Sequence, residues 1–194
     1  GARKPCPISQ KGRCRTMIKS FLVINNHGKP RLVKFYEHMA TERQQELIKA
    51  VYGVVSKRDD SLCSFVDDET AFGADTKVVY RHFATLYFIV LCDRSESELG
   101  ILDLIQVYVE TLDRSFDSVC ELDIIFNPPK AHAILDEIVM GGEVLETSAS
   151  NALKMYLEQE RLEKIGDPTA ARAQSARASK FTGQQPSGAK GWGR

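Results

Sequence analysis

Four histidines and five cysteines are the side chains in this sequence most able to do metal or covalent chemistry. His27, His38, His82 and His132 are scattered, and none falls in an HxxxH or HExxH spacing that would set two imidazoles on one helical face. The cysteines, Cys6, Cys14, Cys63, Cys92 and Cys120, are odd in number, and no two stand at metal-ligand spacing. Cys120 and His132 would supply a nucleophile and a base. Cys120, however, lies between Val119 and Leu122 in what reads as a buried turn, where a thiol stays protonated and inert. Cys92 and Cys120 read as small core residues in apolar settings, and this cysteine usage fits a reducing, cytosolic compartment. Glu121 and Asp123, two apart, fit a helix cap or a solvated loop better than an acid–base pair. Gly141-Gly142 reads as a helix stop rather than a phosphate loop. The expectation is therefore no enzyme, no metal and no cofactor.

Gly28-Lys29-Pro30-Arg31 is different in kind, because it sets a rigid turn and a guanidinium at the start of a strand. On residue types alone it is a solvated hairpin charge.

The elements that hold these residues follow from periodicity. Ile18 opens a strand through Phe21-Leu22-Val23-Ile24, Asn25 to Lys29 is turn chemistry, and Arg31 to Tyr36 alternates as the return strand. Thr41-Glu42-Arg43-Gln44 reads as a capping box opening a helix to about Lys57, with Leu47, Ile48, Val51, Tyr52 and Val55 on one face. Ser64-Phe65-Val66 is a short strand, Asp67 to Asp75 a polar loop, and Val78-Val79-Tyr80 the next strand. The run Ala84 to Cys92 is apolar at nearly every position, so a strand here must be covered on both faces. A bend near Arg81-His82 would divide it from the preceding strand, but the spacing does not place the turn.

Ser95-x-x-Glu98 reads as a second capping box, for a helix from Leu99 to about Ser118 with a stripe of Leu102, Ile105, Val109, Leu112 and Phe116. Asn127-Pro128 starts another helix that buries Ile134, Leu135, Ile138 and Val139. Thr147 or Ser148 caps a last one carrying Leu153, Tyr156, Leu157 and Leu162. Strands first and helices later indicate an α+β fold with an antiparallel sheet.

The chain has 194 residues, 43% of them hydrophobic, enough for one domain with a substantial core. Its 26 basic and 26 acidic residues cancel, but unevenly. Residues 1–16 hold five basic groups and no acid, and residues 165–194 five basic groups and one acid, which leaves 16 basic against 25 acidic residues in 17–164. A core about nine charges negative excludes general nucleic-acid binding. The basic ends, expected to be a disordered arm (1–16) and a disordered tail (165–194), would keep the protein soluble, or touch an anionic membrane at roughly 1 kcal/mol per Lys or Arg. The longest uncharged apolar run is about eleven residues, half of a bilayer span, and residues 1–16 lack the apolar core of a signal peptide.

Several ordered segments carry a resemblance. Asn25-Asn26-His27-Gly28-Lys29-Pro30-Arg31-Leu32, Tyr80 to Phe88, Val119-Cys120-Glu121-Leu122-Asp123 and Gly141 to Thr147 resemble the small (sigma) subunits of heterotetrameric clathrin-adaptor complexes, from Met17 to about Lys164. Ser95 to Val107, the Lys29-Pro30-Arg31 turn, the loop near Phe72-Gly73 and Val139-Met140-Gly141-Gly142 are most similar to the sigma branch of adaptor protein complex 3. The resemblance implies a longin-like fold for 17–164: a five-stranded antiparallel sheet sandwiched between helices. It implies direct packing on a delta-type large chain, in a heterotetramer with a beta-type large chain and a medium (mu) chain. Location would be peripheral, on the cytosolic face of Golgi, endosomal and transport-vesicle membranes.

It also implies binding of acidic dileucine signals, Asp/Glu-x-x-x-Leu-Leu/Ile, in membrane-cargo tails. Carried over by position, Arg31 would face the acidic residue, and Ala84, Leu86, Val109, Val119 and Ile124 would line the leucine pocket. Ser118 stands where several relatives have asparagine. The alternative is a purely structural small chain that stabilises the adaptor core without binding peptide.

Overall fold

The computed structural model describes residues 17–58, 63–68, 72–73 and 75–166. The terminal arm 1–16, the tail from 167 and parts of the 67–75 loop lie outside the described residues. By compactness the chain divides into two units, Gly1–Leu153 and Lys154–Arg194.

In the first unit, β1 (Ile18–Asn25) and β2 (Pro30–Phe35) form the expected hairpin. β3 (Phe65–Val66), β4 (Lys77–Phe83) and β5 (Leu86–Cys92) complete a five-stranded, wholly antiparallel sheet of order β2-β1-β5-β4-β3. β5 lies at the centre, which explains its unbroken hydrophobicity: residues 88 to 92 alternate between the two faces and all are buried. One face packs on α1 (Thr41–Val55), where Leu22, Ile24, Val78, Ile89 and Leu91 meet Val51 and Val55. The other is covered by α2 (Glu98–Phe116) and α4 (Pro128–Ile138). There the fully buried Tyr108 ring packs edge-on against Phe21, centroids 5.1 Å apart, and against Phe88 at 6.2 Å. Its hydroxyl donates to the Ala131 carbonyl at 3.1 Å and so joins α2 to α4. The α+β, helix-sheathed sheet is thus the expected fold.

Four local expectations are corrected. The turn between β4 and β5 falls at Ala84-Thr85, not near Arg81-His82, so Ala84 leaves the strand with φ of 52°. Thr41 is the first helical residue of α1, and Ala40 at its N-cap makes no side-chain cap bond, so the capping box there does not form. The α2 cap is Ser97, whose hydroxyl accepts from the Gly100 amide, rather than Ser95. α4 ends at Ile138, and Gly141-Gly142 instead make the turn of a small hairpin, β6 (Val139–Met140) with β7 (Glu143–Val144), both glycines having positive φ.

The last helix, α5 (Ala149–Gly166), begins after Ser148, whose carbonyl accepts from Ala152 at 3.0 Å. Its residues 154–166 belong to the second unit, where Leu157 and Leu162 are exposed.

Candidate functional site

Antiparallel pairing brings distant residues to one end of the sheet. Asn25 closes β1 opposite Leu86, so the β1–β2 turn lies beside the β4–β5 turn, and the Asn26 amide donates to the Thr85 carbonyl at 3.0 Å. Asn25 shapes its own turn: its Oδ1 accepts from the amides of His27 (3.0 Å) and Lys29 (2.8 Å). Gly28, at φ of 78°, lies against Tyr52, whose ring would stand 2.8 Å from an added Cβ. Only glycine meets both demands there. This turn delivers Arg31 to the same end of the sheet.

The C-terminus of α2 closes that end. Asp117 (φ 52°) and Ser118 (φ 83°) take left-handed conformations and reverse the chain, with their amides bound to the Asp113 carbonyl. The Asp113 carboxylate then accepts from the Val119 amide at 3.1 Å. One short helix, α3 (Glu121–Phe126), follows, capped at Cys120, whose amide donates to Asp123 Oδ2 at 2.9 Å. Asp123 therefore does cap a helix, as expected of it. Its hydrogen bonds with Cys120 hold its carboxyl below the usual range.

Between the Ala84-Thr85 turn, α2 and α3 runs an open groove of about 330 Å³. Ala84, Leu86, Val109, Val119 and Ile124 all line it, together with Phe83 and Phe88. Val109 is half-buried, at the edge of α2 rather than in its core; the buried side of α2 is Ile101, Leu104, Ile105, Tyr108, Thr111 and Leu112. Of the expected stripe, Leu102, Val109 and Phe116 are only half-buried. Ser118 is exposed and does not line the groove.

Arg31 does not itself line the groove; it reaches it through a lining residue, Glu121, which its neighbours in sequence had marked only as a cap or loop acid. Glu121 Oε1 accepts from Arg31 Nε and Nη2, each at 2.8 Å, and from Asn25 Nδ2 at 3.2 Å; its Oε2 accepts from Thr85 Oγ1 at 3.1 Å. Burial raises this carboxyl's pKa, but the bonds from Arg31, Asn25 and Thr85 and the charge of Arg31 outweigh it and leave the value below the usual range. The stabilisation this gives is present above the ordinary glutamate pKa and fades as pH falls through the lowered one. Glu121 also lines the groove, as do Cys120, Thr85 and the acids Glu110 and Asp113. The pattern Val119-Cys120-Glu121 was visible, but the 90-residue separation hid the ion pair.

Cys120 is exposed, which corrects the expectation of a buried turn. Its partner is Asp123, not His132. Cys92 is the core thiol, with burial as the main force pushing its pKa up to about 12. Brief alkylation of the native protein with N-ethylmaleimide followed by peptide mass mapping should therefore label Cys120 and leave Cys92 unmodified until denaturant is added. Labelling of Cys92 at a comparable rate would contradict the packing of β5.

Among the described residues no group of three His, Cys, Asp or Glu is placed to hold a metal ion. No helix among them is long and apolar enough to cross a membrane.

The family model for the clathrin adaptor complex small chain matches residues 17–163. The chain belongs to the clathrin adaptor small-chain family. Small chains of this family are non-enzymatic subunits of vesicle-trafficking adaptors. Among relatives, the chain is 54% identical over 155 residues to the AP-3 complex subunit sigma of Dictyostelium discoideum, covering 78% of this chain and 91% of that one. It is 52% identical over 166 residues to AP-3 complex subunit sigma-2 of Homo sapiens (84% and 86%). It is 53% identical over 147 residues to the AP-3 complex subunit sigma of Arabidopsis thaliana (76% and 89%). A structure described as a homology model of the full-length AP-3 complex in a stretched open conformation superposes with a TM-score of 0.61 at 37% identity, covering 79% of this chain and 99% of that chain.

Proposed function

We propose that this chain is the small subunit of a type 3 adaptor complex in vesicle-mediated protein transport, and that its groove takes the two aliphatic side chains of acidic dileucine signals in cargo tails. The observation that carries this is a largely apolar groove of about 330 Å³ with one lining carboxylate, Glu121, that is paired with the Arg31 guanidinium. Apolar walls with a few placed polar groups are the usual form of a ligand site. Burying two leucines is worth roughly 3–6 kcal/mol gross. A charge-assisted contact to a partly exposed Arg31 adds about 1–2 kcal/mol. Association costs several kcal/mol, so affinity should lie on the order of micromolar. Selective sorting then comes from several weak contacts acting together at a membrane.

The chain would act with a delta-type large partner, beside beta-type large and medium (mu) chains, on the cytosolic face of Golgi, endosomal and vesicle membranes. Exposed Leu122 (57%) and Phe126 (75%) on the outer side of α3 suit a chain that buries further surface on a larger partner. These exposed side chains are also what a purely structural small chain would need. A fluorescence titration separates the two readings, using the purified pair of this chain with its delta-type partner. A labelled Glu-Ala-Ala-Ala-Leu-Leu peptide should bind saturably, and the same peptide ending in Ala-Ala should not. Equal binding of both, or of neither, leaves the structural role standing.

A further inference from the structure

Arg31 does not meet the groove as a free cation. Its Nε–Nη2 edge already carries the Glu121 carboxylate at 2.8 Å, and among the described residues every hydrogen bond and ion pair recorded for Arg31 goes to that carboxylate. The two side chains are 22% and 23% exposed and Glu121 lines the groove, so the pair is open to solvent beside it. Glu121 is itself fastened by Asn25 on β1 and Thr85 in the β4–β5 turn, and it follows Cys120 at the start of α3. A single carboxylate thus ties three sheet segments to the helix that closes the groove.

We propose that Glu121 is a specificity-determining residue of the groove: an internal acid that holds Arg31 in place while moderating its preference for an acidic ligand. This rests on the dileucine reading above. A guanidinium presents donors along more than one edge. With the Nε–Nη2 edge taken, an incoming carboxylate is left with the Nη1 side, and it approaches a pair whose charges already cancel. It also approaches Glu121, a like charge within one Debye length, in a setting only partly screened. The acidic residue of a signal therefore strengthens binding only modestly, and the two aliphatic side chains carry most of the selection. Peptides with an acid at different distances from the leucines are then tolerated, where an unopposed arginine would demand one.

Glu121→Gln tests this, because glutamine keeps the length and an acceptor oxygen for Asn25 and Arg31 while removing the charge. Fluorescein-labelled Glu-Ala-Ala-Ala-Leu-Leu and Gln-Ala-Ala-Ala-Leu-Leu are titrated against the wild-type and variant pairs with the delta-type partner, at low and high sodium chloride. The expected result is that the glutamate peptide binds about five- to tenfold more tightly to the variant, while the glutamine peptide changes less than about twofold. The gain should shrink at high salt. An unchanged glutamate-to-glutamine ratio in the variant overturns the proposal, and so does a reduced one. Should the glutamine variant fail to assemble, Glu121→Met removes the same charge and is read by the same ratio. Failure of the wild-type pair to bind either peptide is a distinct result, which overturns the groove reading and this inference with it.

Discussion

Val109→Asp should lower the affinity of a dileucine peptide by about 50-fold, while the variant still assembles with its large partner. Val109 lies on the groove side of α2, between Tyr108, buried in the core, and Asp113, whose carboxylate accepts from the Val119 amide. It is half-buried, so aspartate can point its carboxylate into the groove without breaking the Tyr108–Phe21–Phe88 packing behind it. Leucine side chains seated there would have to desolvate a carboxylate with Leu86 and Ile124 as neighbours, at about 2–3 kcal/mol. Glu110 and Asp113, also in the lining, offer only further negative charge. The checks are peptide titration and co-purification on the same preparation. Normal peptide binding by an assembled variant would move the ligand site away from this groove.

Arg31→Ala should cost an acidic peptide about tenfold or more, and a neutral peptide less than about threefold. The loss for the acidic peptide has two sources. One is the charge-assisted contact, worth about 1–2 kcal/mol at a partly exposed rim. The other is Glu121, which loses the ion pair at 2.8 Å and faces the ligand's acid as an unneutralised charge. Paired titrations with the two peptides read the difference directly. Equal losses would show that Arg31 supports the fold of the rim rather than the acid of the ligand.

Most of the fold was legible because its strands and helices are consistent at the local level. The β1–β2 hairpin announced itself through Asn25, Gly28 and the alternation of β2, and the centre of the sheet through the continuous apolar run of β5. The β4–β5 turn was not legible, because Ala84 takes a positive φ without the glycine or asparagine that signals one. The α2 stripe was legible in part: Ile105 and Leu112 are buried as expected, while Leu102, Val109 and Phe116 are only half-buried because the apolar arc is wide. Ile101, Leu104 and Tyr108 run beside Leu102, Val109 and Phe116, and periodicity alone cannot say which row faces the sheet.

The five apolar groove positions came from the resemblance, and they do line one groove in the structure. Glu121 was missed as a groove residue for a different reason. Its role depends on Asn25, Arg31 and Thr85, which are between 36 and 96 residues away and meet it only once the sheet is paired. Cys120 was misplaced because its apolar neighbours are not core residues: Val119, ahead of α3, is only half-buried, and Leu122, on that short helix, is 57% exposed.

The central claim is that paired aliphatic side chains settle among Leu86, Val109 and Ile124 with their acid toward Arg31. A crystal structure of this chain with its delta-type partner and a Glu-x-x-x-Leu-Leu peptide tests it most directly. The account requires both leucines in van der Waals contact with those three side chains and the peptide carboxylate within salt-bridge distance of the Arg31 guanidinium. A peptide bound on any other surface, with Val109 left in water, would contradict it.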